Sequence, residues 1–147
     1  MNDDETHHPR LLLLDQAGGR IEGRTKYHKL LFNYADEEAE ESSLTFIREE
    51  RGPYDPGLSQ AMQHYVDIGL LDVDDGEEPH EIEQTDKGER YLSGYQQAKL
   101  RLDKNFRKTL QQIEKTVKKH GDKSAYEMVQ EENVQEAKEN PMGKELE

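Results

Sequence analysis

The chain has 147 residues, a formal net charge of −13 and no cysteine. That length allows one hydrophobic core and leaves no room for a second independent one. The missing cysteine excludes disulfides, thiol nucleophiles and Cys-based zinc sites, and the longest apolar run, Leu11 to Leu14, is far short of the roughly 20 residues a membrane-spanning helix needs.

Leu, Ile, Val and Phe total 28 residues, a share that with this charge ordinarily marks disorder. The apolar residues nevertheless recur at helical spacing, so a folded domain is expected. The acidic, polar opening from Met1 to Arg10 is not a secretory signal, and a cytoplasmic location is the natural expectation. Two explanations of the acidity stay open: a salt-rich cytoplasm in which carboxylate surfaces remain hydrated, or a surface that mimics nucleic acid or docks on a basic protein.

Residues 1–8 read as a frayed end. Pro9 suits the first position of a helix whose apolar body is Leu11 to Leu14, and Gly18-Gly19 closes it. Arg20-Ile21-Glu22 is then a short extended stub. A second helix is predicted from Arg24 to about Ala35, because Tyr27, Leu30, Leu31 and Tyr34 form one stripe. Lys26, Lys29 and Asn33 are left together on its far side. The acidic run Asp36 to Glu41 either extends that helix or loops into Leu44-Thr-Phe-Ile47, whose residue types favour a strand.

Gly52-Pro53 reads as a breaker, with Asp55 as a cap and Pro56 at the first helical position. The next helix is expected to bury Leu58, Ala61, Met62, Tyr65 and Ile68, to expose Gln60, Gln63, His64 and Asp67, and to end at a left-handed Gly69. Leu70 to Val73 and His80 to Gln84 are two short strands around the candidate wing, Asp74 to Pro79. From Thr85 a long helix is predicted. Its apolar series Tyr91, Tyr95, Ala98, Leu102, Phe106, Leu110, Ile113 and Val117 approximates a coiled-coil seam. Gly121 ends it, Ser124 caps a last helix containing Tyr126, Met128 and Val129, and from about Asn133 the chain reads as a polar tail.

The pattern Gly23-Arg24-Thr25-Lys26, Lys29-Leu30-Leu31-Phe32, Gly52-Pro53-Tyr54, Leu58 and Gly69-Leu70-Leu71 resembles the YwgA-like winged-helix proteins and, more distantly, the SocA-like (Panacea) domains of antitoxins. The long helix is similar to the dimerising helix of PadR-like regulators. The resemblance covers roughly Leu11 to Leu92 and implies a winged-helix fold with a regulatory or interaction role and no catalytic residues. The acidic insert Glu37 to Glu41 and the acidic wing depart from the usual pattern.

The expected fold is therefore mainly α with a small β hairpin: a disordered N-terminus over 1–8, a winged helix-turn-helix over 9–92, a long helix plus a short one over 93–132 that makes a homodimer, and a disordered tail over 133–147. In such a fold the second helix of the motif reads base edges, and here it offers Ser59, Gln60, Gln63 and His64 but no Lys or Arg. Lys26 and Lys29 are the expected phosphate contacts. The wing brings seven carboxylates and no cation between Asp72 and Glu83, which opposes duplex binding. Positive charge is concentrated instead over residues 99–120, where eight Lys and Arg outnumber Asp103 and Glu114; Lys104, Arg107 and Lys108 are the backbone-contact candidates there. Leu102, Phe106, Leu110, Ile113 and Val117 are the expected dimer interface.

The six histidines form no i, i+4 pair and have no Cys partner, so no metal site is expected. No phosphate-binding glycine loop or nucleophile elbow is present, and no cofactor or enzymatic activity is expected. The expected function is a DNA-binding transcriptional regulator of a salt-adapted archaeon; the alternative is an antitoxin- or adaptor-like protein-interaction module that keeps the winged shape without binding DNA.

Overall fold

A computed structural model describes residues 8–38, 46–49, 52–74 and 81–146. The expectations for residues 1–7, for the acidic run beyond Glu38 and for the tip of the wing lie outside the described residues. The structure is mostly helical with two small antiparallel sheets. Among the described residues no helix is long and apolar enough to cross a membrane.

Helix α1 (Pro9–Gln16) is the axis of the core. Four consecutive leucines, 11–14, point in directions that sweep about 300° around a helix, so no single partner can cover them. All four are fully buried, enclosed by the later helices and by one sheet. Pro9 supplies the fixed φ of the first turn, and the left-handed Gly18 and Gly19 (φ 91° and 84°) turn the chain into β1 (Arg20–Glu22).

Strand β1 lies at one edge of a sheet of order β1-β5-β4, with β4 over Leu71–Asp74 and β5 over Glu81–Gln84. Ile21 and Val73 both face Ile82 in register, and this apolar row seats the sheet on α1. Helix α2 (Arg24–Asn33) buries Tyr27, Leu30, Leu31 and Tyr34 as expected, and it continues as a π-helical turn over Tyr34–Glu38.

The chain then departs from the expected outline. Gly52-Pro53 does not break the structure but enters a strand, β3 (Gly52–Tyr54), paired with β2 (Phe46–Glu49). Pro is tolerated because β3 is an edge strand. Asp55 does not cap the next helix. Helix α3 (Leu58–Asp67) begins two residues further on than Pro56, with Gly57 at its N-cap; the Asp55 carboxylate accepts from the Gly57 amide at 2.9 Å just ahead of the helix and is also held by Arg10. Leu58, Met62 and Tyr65 are buried, whereas Ile68 is 42% exposed. Gly69 is left-handed as expected (φ 82°).

Helix α4 (Asp86–Leu102) starts as its sequence indicates, the Thr85 hydroxyl accepting from the Gly88 amide at 3.0 Å. The single long helix is not formed. Asp103 is extended (φ −136°, ψ 109°), and its carboxylate caps a new helix, α5 (Lys104–His120). The reason is α1: the chain must fold back for Phe106, Leu110 and Ile113 to cover the leucines, and Phe106 and Ile113 are fully buried there. The expected boundary near residue 92 also falls inside α4.

Ser124 caps α6 (Ala125–Val129) as expected. The expected disordered tail is instead structured: α7 (Glu132–Ala137) buries Val134, and β6 (Glu145–Leu146) pairs with β2, giving a second sheet of order β3-β2-β6.

Candidate nucleic-acid interface

The base-reading candidates on α3 divide. Gln60, Gln63 and His64 are exposed, while Ser59 is half-buried with its hydroxyl 3.4 Å from that of Tyr54. Gln63 donates to Asp67 at 2.8 Å, so one of the two glutamines is engaged along the helix itself. The sheet that α3 packs against presents an acidic outer face. Register places Glu22, Glu81 and Asp74 in one row across the three strands, with Arg20, Glu83 and Asp72 in the next. Like charges directly opposite one another destabilise a sheet, and the Arg20–Glu81 ion pair relieves one of these oppositions.

The phosphate candidates on α2 point inward, and this corrects their expected role. Lys29 is 2% exposed and donates to the Pro53 carbonyl at 2.8 Å; Lys26 donates to the Gly121 carbonyl at 2.7 Å. Each satisfies a carbonyl that neither a helix nor a sheet uses, the physical requirement that draws a buried ammonium. Gly52 makes room for Val134 and Lys29: a Cβ there would lie 2.9 Å from the valine Cγ1 and 3.3 Å from the lysine Cε. Asn33 is also buried and joins α2 to the C-terminal segment, accepting from Asn133 at 2.6 Å.

A buried polar centre between α1, α2 and the start of α3 escaped sequence reasoning. Arg10 holds Asp55 in a two-pronged pair at 2.7 and 3.0 Å, with both side chains almost wholly buried. The Asp55 amide donates to His28 Nδ1 at 3.0 Å, His28 stacks on Tyr54 at 4.1 Å, and the Tyr27 hydroxyl donates to the Arg10 carbonyl. Burial pushes the Tyr27 hydroxyl well up. Burial first, then the positive charge of Lys29, pulls His28 down to about 4, so it is a neutral acceptor here. An arginine abutting four leucines was the available signal, but nothing local named its partner 45 residues away.

A second polar cluster ties α5 to the π-helical turn and to α6–α7. His120, 2% exposed, places Nε2 2.5 Å from Glu37, and its Nδ1 receives Lys123 at 2.9 Å. Burial opposes ionisation of Glu37, but hydrogen bonds from Lys119 and His120 outweigh it and hold the carboxyl below its ordinary range. Among the described residues no group of three or more His, Asp or Glu side chains is arranged to hold a metal ion.

The basic residues of α5 keep the surface. Lys104, Arg107, Lys108, Lys115 and Lys118 are all exposed; at 100° per residue they occupy an arc of about 100°, opposite the buried face, along about 21 Å of helix. Glu114, the one carboxylate of α5, lies at the margin of that arc. Among the described residues none of the five cations forms an ion pair. The expected dimer seam on the opposite face is corrected: Phe106 and Ile113 are fully buried within the chain, Leu110 is 8% exposed, and Val117 is half-buried against the same core. Leu102 alone stands out, 84% exposed.

Comparison of the chain with protein-family models, curated proteins and solved structures finds no match.

Proposed function

We propose that this chain is a winged-helix transcriptional regulator that binds double-stranded DNA, with the α5 stripe as its principal phosphate contact. The observation that carries the reading is charge segregation: five exposed cations share one helix face in a chain of net charge −13. Such an unpaired stripe, about 21 Å long, meets a duplex that carries one charge per roughly 1.7 Å of axis. Helices α1, α2 and α3 with strands β1, β4 and β5, β1 lying against β5, support the winged-helix assignment, with the β2–β3 pair inserted between α2 and α3. Gln60, Gln63 and His64 are its base readers. The wide spread of carboxylates elsewhere fits a salt-rich archaeal cytoplasm.

The test is duplex titration across salt. Five phosphate contacts predict that affinity falls with a log–log slope of about −4 to −5. The double change Lys104→Glu and Arg107→Glu should weaken binding to all sequences alike, and Gln60→Ala with Gln63→Ala should relax sequence preference. No duplex binding at low salt would sink the reading.

One observation favours a second reading, an antitoxin- or adaptor-like interaction module: α3 carries no cation, and the sheet beside it shows five carboxylates to one arginine. In that case duplex binding is absent and the α5 stripe meets an acidic protein.

A further inference from the structure

We propose that two copies of this chain associate by exchanging residues 104–146, with α4 and α5 joined through Asp103 into one continuous helix in each copy. This goes beyond the DNA reading and does not depend on it.

Four observations converge on Asp103. The apolar series from Tyr91 to Val117 keeps helical spacing straight through the break, and neither Gly nor Pro lies between Tyr95 and His120. The break is a single extended residue: Asp103 accepts from the Asn105 amide at 2.9 Å and faces Lys99 at 4.0 Å. Leu102, a member of the apolar series at the very end of α4, is left 84% exposed. Finally, the elements beyond the hinge pack largely on elements that precede α4: α5 on α1 and α2, α6 on α2, α7 on β3, and β6 on β2.

A segment with that contact pattern can leave its own chain and seat identically on a second copy, giving up only the hinge bonds at Asp103 and recovering the contacts beyond it. Domain exchange is a low-cost route to dimers for this reason, and short hinges invite it. The fused helix would run from Asp86 to His120, about 52 Å at 1.5 Å per residue. Each copy's Leu102 then lies beside the other copy's Lys104, so the two hinges meet on the symmetry axis and cover the leucines that the monomer exposes. The occupant of the exposed hinge surface is therefore a second copy of this chain.

The test combines mass and connectivity. Light scattering on the full chain across a concentration series should show a slowly exchanging dimer. Asp103→Ala removes the cap and favours the continuous helix at two hinges per dimer, which should raise the association constant on the order of a hundredfold. Inserting Gly-Ser-Gly after Leu102 should leave only monomer. The chain has no cysteine, so Asn33→Cys with Asn133→Cys places the only two thiols across a contact made by the exchanged segment. In the exchanged dimer, oxidation links one copy to the other. Asp103→Ala staying monomeric at every concentration would overturn the proposal, and so would a dimer whose oxidised cysteines pair within each chain. Should the cysteine variant fail to fold, the parent and Asp103→Ala masses still decide: monomer in both overturns the exchange.

Discussion

Helices α2 and α5 both carry lysines within an amphipathic pattern, yet the structure uses them in opposite ways. On α2, Lys26 and Lys29 turn into the protein and each closes a backbone carbonyl. On α5, five cations stay on the surface with no described carboxylate to meet. Residue type and helical phase are the same kind of information in both places. The difference is what lies opposite: α2 faces β3 and the end of α5, where carbonyls lack a partner, whereas the outer face of α5 faces solvent. A lysine is recruited inward where a buried acceptor would otherwise be unsatisfied.

The sharpest way to test this division is to remove an inward charge. Asp55→Ala removes the buried carboxylate that Arg10 holds in two hydrogen bonds, and breaking a buried pair from one side costs about 3–5 kcal/mol. A cap alone would cost about 1 kcal/mol. Chemical denaturation separates the two: a loss near the smaller figure would mean that Arg10 reaches water and the pair is not structural.

His28 gives the next effect, and its sign is set by its depressed value. The unfolded chain takes up a proton near 6.5, whereas the folded chain does so near 4. Neutral His28 therefore contributes stability that is fully present above about pH 6.5 and lost as pH falls toward 4, on the order of 3 kcal/mol at 1.36 kcal/mol per unit. In His28→Asn the side-chain oxygen can replace the Nδ1 acceptor and does not titrate. The parent should lose more stability than this variant between pH 7 and 4; parallel curves would show that His28 does not control the acid limb.

The lysines themselves are compared last. Lys29→Met keeps the length of the side chain but leaves the Pro53 carbonyl unsatisfied, a cost of about 1–3 kcal/mol. Lys108→Met, on the exposed stripe, should stay within about 0.5 kcal/mol of the parent. Equal thermal shifts for the two would erase the distinction between α2 and α5.

Local chemistry made several elements readable. Pro9 and the Gly18-Gly19 pair bound α1, the Thr85 and Ser124 hydroxyls begin α4 and α6, and the stripe of Tyr27, Leu30, Leu31 and Tyr34 set the phase of α2. The basic face of α5 was equally legible, because a run of cations spaced by three and four residues needs no distant partner to appear on one side. Asp55 shows the limit. Its neighbours Pro56 and Gly57 make a local turn readable, and its Oδ1 does accept from the Gly57 amide, but nothing in that spacing reveals that the same carboxylate is the buried partner of Arg10, 45 residues away.

Local grammar thus specifies where most helices start, which face of each is apolar, and that positive charge gathers on residues 99–120 of an acidic chain. Packing between distant segments set the remaining features. It broke the long helix at Asp103, because the four leucines of α1 needed covering on a side that a straight helix could not reach. It also turned Lys29 and Asn33 inward and drew the C-terminal residues into a strand on β2. Each of these outcomes depends on burying a group or pairing a backbone edge with a partner far along the chain, and such a partner leaves no mark on the spacing of neighbouring residues.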